Sequence, residues 1–354
     1  MGLFDDMLKD SESLFLNPEQ LDFDFQPKLV PYRESEQGYI ASCIRPLLQN
    51  RNGKNLLIFG NPGVGKTVCL KHVLNELEEY DEVYKIYINC WKKDTTHKMA
   101  LSICEQIDYK WVHNKTTDEL FKEIKNILNK KTAVFVMDEA DKLTEIDGIY
   151  YILEDVYKKT VFFITNDKDW LINLDSRLRS RLTLEELGFK PYSLEQTKGI
   201  LRKRIEYGFV KDVWEQKAFE LIAKKSYELG DIRAGLFLLR EAGNIAEDGS
   251  SKKIILEHSE NAIKKLDDYK TKNTNDFEDD INNILKLIKS NSGKTITEIY
   301  DIYKKDNEIS YKTFKRKISK LVEDNIITAE NAISDKGGKT LVLNYSSIKK
   351  LDEF

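Results

Sequence analysis

Apolar residues in the first half of the chain recur in two alternating patterns. Short apolar runs bounded by glycine or charged residues indicate buried strands, and apolar residues three or four positions apart indicate helices. The strand pattern is found at residues 55–59, 84–89, 132–137 and 160–165, and the helical pattern at 36–49 and 68–79. Strands that alternate with helices predict an α/β fold, in which a parallel sheet carries helices on both faces.

The second half of the chain reads as helical until close to its end. Helical patterns cover residues 193–207, 214–227, 232–247 and 256–267, then 281–290, 295–305 and 311–324, and a polar hairpin spans 326–345 with its turn at Gly337 and Gly338. Residues 267–280 carry eight charges and no aliphatic side chain, which predicts a linker. Five parts are predicted: an aromatic-rich N-terminal arm (1–30), an α/β base (31–188), a small helical domain (189–267), a linker (268–280) and a C-terminal domain (281–354).

Composition narrows the class of protein. Of the 354 residues, 41% are hydrophobic and 33% are charged, and no apolar run is long enough to cross a bilayer, so we expect a soluble cytoplasmic protein without a membrane partner. Few glycines and prolines argue against an all-β fold. The four cysteines are too far apart for a zinc site or a disulfide framework, and the net charge of −4 indicates that any nucleic-acid partner must meet a local patch.

A glycine-rich loop follows the first predicted strand and opens a helix. Residues 60–67 satisfy the pattern G-x-x-x-x-G-K-[ST], whose backbone N–H groups and helix N-terminus surround nucleotide phosphates. Lys66 is expected to reach the β- and γ-phosphates, and Thr67 to offer its hydroxyl to Mg²⁺. The alternative is a tight strand-to-helix turn without a ligand. The predicted ATP or ADP contacts are Asn61, Pro62, Gly63, Val64, Gly65, Lys66, Thr67 and Val68.

Two acidic residues end the third predicted strand. Asp138 can hold Mg²⁺ together with Thr67, and Glu139 can accept a proton from the water that attacks the γ-phosphate. Asn166, at the end of the fourth strand, could orient that water, and Arg233 could close onto the γ-phosphate from the helical domain. Each has a simpler alternative: a solvated loop for the acids, a turn for Asn166 and a surface position for Arg233.

Together these motifs resemble the AAA+ ATPases, and among them the archaeal origin-recognition and cell-division-control replication initiators. The family's Walker A and B motifs match Gly60 to Thr67 and Met137 to Asp141, and its sensor 1 position matches Asn166. Further matches are Pro31-Tyr32-Arg33-Glu34 before the first helix, Leu174 to Leu182 with Phe189-Lys190-Pro191-Tyr192, and the sensor 2 segment Gly230 to Arg233. The family's order of parts is an ATPase base, a helical lid and a C-terminal winged-helix domain.

The resemblance also implies roles that spacing alone does not provide. Arg181, with Arg177 as second choice, would be an arginine finger that reaches a neighbouring subunit's nucleotide, which implies self-association. The alternative is that this arginine-rich stretch only pairs with acids such as Glu185 and Glu186. The resemblance further implies nucleotide contacts from Tyr192, Arg204 and Arg233, and a DNA-contacting insertion within residues 89–131.

Positive charge in the C-terminal domain is concentrated on one predicted helix. Residues 310–322 contain five basic residues and no acid, and the apolar stripe that includes Phe314 and Ile318 leaves a cationic face opposite, as a DNA recognition helix requires. The basic hairpin tip is suited to contacting the DNA backbone. A charged face that is merely solvated is the alternative. The predicted DNA contacts are Lys312, Lys315, Arg316, Lys320, Lys336 and Lys339.

The motifs and the resemblance predict a replication initiator that binds ATP, hydrolyses it slowly as a switch and binds duplex origin DNA. Recruitment of the replicative helicase follows from the resemblance alone. Two alternatives stay open: a regulatory or signalling ATPase whose winged helix contacts protein, and a non-catalytic DNA-binding scaffold that retains nucleotide.

Overall fold

The computed structural model describes residues 13–305, 309–323, 327–333 and 339–345. Backbone packing divides the chain into two compact units, Met1–Ile263 and Lys264–Phe354. The first contains the base, the small helical domain and the described part of the arm. The second contains the C-terminal domain.

A five-stranded sheet in which all neighbouring strands are parallel forms the centre of the first unit. Its strands are β1 (Leu56–Phe59), β2 (Val83–Asn89), β3 (Thr132–Asp138), β4 (Lys159–Thr165) and β5 (Glu185–Gly188), in the order β2-β3-β4-β1-β5. The predicted parallel sheet is confirmed, and its first four strands coincide with the apolar runs. The fifth strand was missed because Glu185 and Glu186 interrupt any apolar pattern; it forms by pairing with β1 at the sheet edge.

Helices cover both faces of this sheet, as predicted. They are α1 (Glu34–Leu48), α2 (Lys66–Glu76), α3 (Thr96–Gln106), α4 (Thr117–Leu128), α5 (Asp147–Asp155), α6 (Trp170–Asn173) and α7 (Ser176–Leu182). One buried cluster joins Phe135 to α3 and α4, and the other joins Val134 to α1 and α2. Every residue of β3 is buried, so the acids that follow it are held by a rigid element. The four cysteines are buried and free.

The small helical domain begins with α8 (Leu194–Gly208), α9 (Gln216–Leu229) and α10 (Ile232–Asp248). A capping box at Ser193 starts α8, because its hydroxyl accepts from the Gln196 N–H while the Gln196 side chain accepts from the Ser193 N–H. Gly230, in the left-handed region at φ 64°, ends α9, and Asp231 immediately caps α10. This tight connection brings the start of α10 to the glycine-rich loop.

The helix α11 (Leu256–Ser290) runs through the predicted linker. The sequence predicted separate helices on either side of residues 268–280, whereas the backbone there is helical. The stretch contains neither proline nor glycine, so charged residues can continue the helix although they give no apolar stripe. The break between the two compact units also falls within α11.

The second unit combines helices with a small antiparallel sheet. After α11 it contains β6 (Lys294–Thr295), α12 (Ile296–Tyr303), α13 (Tyr311–Glu323), β7 (Ile327–Ile333) and β8 (Lys339–Tyr345), with strand order β6-β8-β7. Ile299, Tyr303, Phe314 and Ile318 belong to its buried core. This is the helix and hairpin arrangement of a winged-helix domain. Within the described ranges, no helix is both long enough and apolar enough to cross a lipid bilayer.

Candidate nucleotide site and basic helix

The glycine-rich loop lies between β1 and α2, as the motif requires. Gly60, Gly63 and Gly65 have φ values of 150°, 75° and 88°, a region that other residues rarely adopt. A Cβ on Gly60 would lie 2.5 Å from the Phe189 carbonyl oxygen, so the loop also passes too close to the chain for a side chain. The curved loop leads into the N-terminus of α2, whose first backbone N–H groups have no acceptor within the helix.

Lys66 is buried at the centre of this loop. Its ammonium group donates to the carbonyl oxygens of Gly60 at 2.7 Å and Asn61 at 2.9 Å, and to the Asn166 side-chain oxygen at 2.8 Å. The structure therefore joins the loop to the end of β4. Burial lowers the pKa of Lys66 to about 8, although the Asp138 carboxylate opposes that shift.

Asp138, at the end of β3, accepts hydrogen bonds from three directions. The Thr67 hydroxyl donates to its Oδ2 at 2.9 Å, the Tyr87 hydroxyl donates to the same oxygen, and the Glu139 N–H donates to its Oδ1 at 3.0 Å. The aspartate is only 4% exposed, so these donors replace the water that it would otherwise need. Tyr87 was not predicted as a site residue, since a tyrosine in an apolar strand pattern usually indicates a packing role.

Glu139 follows in a left-handed backbone conformation, with φ 56° and ψ 47°. This conformation interrupts the strand geometry after Asp138, and Glu139 lines a cavity beside the glycine-rich loop. Burial, then the charges of Asp138 and Asp141, raise the pKa of the Glu139 carboxyl, and a hydrogen bond with Asn89 opposes the shift. A carboxylate with a raised pKa is a better proton acceptor than an ordinary surface glutamate.

These residues line one cavity of about 1020 Å³ between the base and the small helical domain. This volume is close to the upper end of the range for pockets that bind small molecules and cofactors, so the cavity can accommodate a nucleotide. The predicted residues that line it are Pro62, Gly63, Gly65, Lys66, Thr67, Val68, Asp138, Glu139, Asn166, Tyr192, Arg204 and Arg233. Asn61 and Val64 are not among the lining residues; Asn61 presents its carbonyl to Lys66, and Val64 is buried beneath the loop.

Arg33 links the glycine-rich loop to the segment that precedes α8. It is 5% exposed and donates to the carbonyl oxygens of Val64 at 3.0 Å and Lys190 at 2.6 Å. Its guanidinium also lies 4.1 Å from the ring centre of Tyr192. The residue therefore fastens the phosphate loop to the segment that leads into the helical domain. Arg33 matched a family motif in the sequence but had no predicted role.

Arg233 lies beside the loop but is paired within its own helix turn. Its guanidinium contacts the Asp231 carboxylate at 2.9 Å, and the Ile232 N–H donates to the Gly63 carbonyl oxygen at 3.4 Å. A Cβ on Gly63 would lie 1.8 Å from an Asp231 oxygen. The start of α10 thus rests directly on the glycine-rich loop.

Arg181 lies outside the lining of this cavity. It is exposed on α7 and pairs with Glu154 of α5. An acid does pair with Arg181, as the alternative expected, but it is Glu154, whereas Glu185 contacts Lys54 at 2.9 Å and accepts from Tyr39.

The basic residues of α13 divide between surface and core. Lys312, Lys315 and Arg316 are exposed, while Phe314 and Ile318 are buried, so the predicted apolar stripe is confirmed. Lys317 is only 7% exposed, although nothing in the sequence distinguishes it from the neighbouring lysines. Lys320 belongs to α13 and Lys339 to β8. Lys336 lies outside the described residues.

Comparisons with known proteins agree with this architecture. A family model described as "AAA domain" matches residues 49–166, and one described as "Cdc6 AAA+ ATPase-type lid domain" matches 198–264. The ORC1-type DNA replication protein 1 of Archaeoglobus fulgidus is 30% identical over 326 residues, covering 86% of this chain and 80% of that protein. The chain is a member of the ORC1-type replication protein family. The ORC1-type DNA replication protein of Pyrococcus abyssi is 33% identical over 287 residues, covering 75% of this chain and 68% of that protein.

Solved structures show that this family's fold extends over nearly the whole chain. The Aeropyrum pernix Orc1 protein, solved in complex with DNA, superposes with a TM-score of 0.70 at 24% identity, covering 95% of this chain and 94% of that one. The Aeropyrum pernix ORC2 protein, solved as ADPNP and ADP complexes, superposes with a TM-score of 0.65 at 18% identity, covering 96% of each. The predicted family and fold are confirmed, and the chain is an AAA+ ATPase.

Proposed function

We propose that this ORC1-type protein is a slow, ATP-switched initiator that binds nucleotide in this cavity, binds duplex origin DNA and helps recruit the replicative helicase. The observation that carries the proposal is the convergence of Lys66, Thr67, Asp138 and Asn166 on one cavity. Family membership supports the replication role. Recruitment of the helicase rests on the family alone.

Lys66 is the principal phosphate ligand in this proposal. Its ammonium group is satisfied by two loop carbonyls and Asn166, all of which are neutral acceptors. Phosphate oxygens carry more charge and make stronger bonds, so they can replace one or more of these acceptors. Asn166 is then free to orient a water molecule near the γ-phosphate, while the glycine loop supplies N–H donors.

The residues present fit Mg²⁺. Thr67 Oγ1 and Asp138 Oδ2 are hard oxygen donors 2.9 Å apart on the cavity wall, and Mg²⁺ is commonly bound through such groups together with substrate phosphates. When bound, the ion would neutralise phosphate charge. Tyr87 and the Glu139 N–H hold the Asp138 carboxylate in place for this purpose.

Glu139 is the proposed general base. Its raised pKa and its position beside Asp138 suit acceptance of a proton from the attacking water. The Glu139→Gln variant should retain ATP but release phosphate about 100-fold more slowly, the lower end of the range for loss of a general base. Glu105→Gln, on the exposed surface of α3, is the matched control. Equal phosphate release by the parent and Glu139→Gln would favour the non-catalytic scaffold.

Two arginines are proposed to respond to the γ-phosphate. Arg233 lines the cavity and would exchange its Asp231 partner for phosphate oxygen. Arg181 is exposed and bound to Glu154 by a surface ion pair, an interaction worth little, so it is available to a neighbouring subunit. Self-association through Arg181 would appear as an ATP-dependent increase in mass that Arg181→Ala abolishes.

Duplex DNA is the proposed partner of α13. The related Aeropyrum pernix Orc1 protein was solved in complex with DNA, and α13 presents Lys312, Lys315 and Arg316 outward from a buried apolar stripe. Lys320, Lys336 and Lys339 remain further proposed contacts. The insertion between β2 and β3 contains α3 and α4, and exposes Trp111 at the loop between them, so the base is proposed to contribute DNA contacts as well.

A charge-reversal experiment tests this DNA interface. Fluorescence anisotropy of labelled duplex across a salt series should show tight, salt-sensitive binding by the parent protein. Lys312→Glu with Arg316→Glu should weaken binding and reduce the salt slope by about one for each phosphate that is no longer bound. Lys252→Glu with Lys253→Glu changes the net charge equally on the exposed surface of the helical domain and is the control. Equal weakening in both variants, or no binding by the parent at low salt, would favour the rival in which the winged helix contacts protein.

A further inference from the structure

Residues 13–17 of the N-terminal arm attach to the small helical domain through their backbone. The N–H groups of Leu16 and Asn17 donate to the Gly208 carbonyl oxygen at 2.9 and 3.2 Å, and the Val210 N–H donates to the Leu14 oxygen at 2.9 Å. The Leu14 N–H also donates to a Glu247 carboxylate oxygen at 2.7 Å. The arm therefore extends this domain as a short strand-like segment.

Aromatic and aliphatic packing reinforces the attachment. The ring of Phe15 lies 4.7 Å from that of Phe209. A Cβ on Gly243 would lie 2.4 Å from Phe15, so α10 leaves room for this ring only because it has a glycine there. Leu21 is completely buried and packs close to Gly208. None of these side chains lines the nucleotide cavity.

Two arginines of the helical domain hold the next part of the arm. Arg204 donates to the Gln20 carbonyl oxygen at 3.0 Å and lies 5.3 Å from the Phe25 ring centre. Arg240 contacts the Asp22 carboxylate at 2.8 Å. Arg204 was predicted to contact the nucleotide; it lines the cavity and also donates a hydrogen bond to the arm.

The arm then crosses to the base along the cavity. The Gln26 amide donates to the Val68 carbonyl oxygen of α2 at 3.0 Å. Val30 is 8% exposed in the base core, and its carbonyl accepts from the Gln37 side chain at 2.7 Å. All residues from Phe23 to Pro31 line the cavity. One continuous segment thus joins the helical domain to the base and forms a wall of the nucleotide site.

We propose that this arm is a strap that gates nucleotide exchange. The inference rests on the proposed nucleotide binding. Nucleotide passes this wall when the strap detaches from the helical domain, and the strap then closes again. Its polar contacts, including the partly exposed Asp22–Arg240 pair, are individually weak, so the arm can open without unfolding of the sheet.

Arm side chains that do not themselves line the cavity provide the test. The Phe15→Ala, Asp22→Ala double variant removes the ring packing and the Arg240 ion pair without altering a cavity-lining side chain. Stopped-flow measurements with a fluorescent ADP analogue should show both association and dissociation faster by about tenfold, since the variant lacks an aromatic interaction and an ion pair that hold the arm. Because a gate acts in both directions, Kd should change less than either rate. Glu19→Ala, on the exposed surface of the arm and outside the cavity lining, should behave as the parent.

Hydrogen exchange at the Leu16 and Asn17 amides reports whether the arm opens. The double variant should exchange these protons faster, while the amides of buried β3 keep their protection. Unchanged amide exchange would show that these contacts do not hold the arm, and faster amide exchange with parental nucleotide rates would show that the arm is no gate. Either result overturns the inference. Failure of the parent to bind the ADP analogue would instead overturn the proposed function.

Discussion

Nucleotide affinity should fall at alkaline pH because of Lys66. Burial holds the pKa of this ammonium at about 8 in the free protein. Phosphate binding favours the charged form, so the pKa of Lys66 rises in the complex and binding takes up a proton whenever the free lysine is neutral. Affinity is therefore fully present below about pH 8 and is lost as pH rises through that value, by about tenfold, or about 1.4 kcal/mol, for each further pH unit.

Titration of the protein with a fluorescent ADP analogue at fixed ionic strength measures this slope. Between about pH 7 and pH 9.5, Kd should rise roughly 30-fold. Lys66→Arg is the matched variant, because a guanidinium stays charged throughout that range, and its profile should be nearly flat even if its affinity is lower. Identical pH profiles for the parent and the Lys66→Arg variant would show that deprotonation of Lys66 does not cause the loss of affinity.

The same pKa has an opposite consequence for folding. The folded-state pKa of Lys66 lies below its ordinary value, so the charged lysine opposes folding and this penalty diminishes as pH rises from about 8 toward the unfolded value. Deprotonation of Lys66 therefore does not itself unfold the protein. Circular dichroism across the same pH series should show the fold intact where nucleotide affinity has fallen.

Two further predictions concern residues that support the site. Tyr87→Phe removes one hydrogen bond to the buried Asp138 and should raise the Mg²⁺ concentration needed for half-maximal ATP binding about tenfold, while affinity measured in EDTA stays unchanged; equal weakening with and without Mg²⁺ would contradict this. Arg33→Met keeps much of the packing volume but leaves the buried Val64 carbonyl and the partly buried Lys190 carbonyl without their donor, and it removes the ion pair with Glu36, so it should lower the free energy of unfolding by about 3 kcal/mol. Thermal denaturation checks the second prediction, and an unchanged Tm would refute it.

The motif residues could be found from the sequence because their function depends on residue types at fixed spacing within a short segment. A loop that curls around phosphate needs glycine where φ is positive, and Gly63 and Gly65 occupy such positions. The strand before Asp138 is predictable because it is buried on both faces and reads as one apolar run. The fifth strand and the continuous helix α11 have no such signal. The strand forms by pairing with β1, and the middle of the helix consists mainly of charged and polar residues that give no apolar stripe.

The residues that sequence reasoning missed act through partners far away in the chain. Tyr87 contacts Asp138 across two paired strands, and Arg33 bridges carbonyl groups of Val64 and Lys190. Arg204 was predicted as a nucleotide contact, but its additional hydrogen bond to an arm residue 184 positions earlier was not. Nothing in local sequence specifies such a partner.

The α/β class, the glycine loop and the acids that end β3 follow from the amino-acid sequence alone, because periodicity and backbone conformation are properties of neighbouring residues. The path of the N-terminal arm, which lies against the helical domain and then crosses to the base, is visible only in the folded molecule. Its contacts with the helical domain join residues more than 180 positions apart, and they exist only after the sheet and helices have brought their surfaces together.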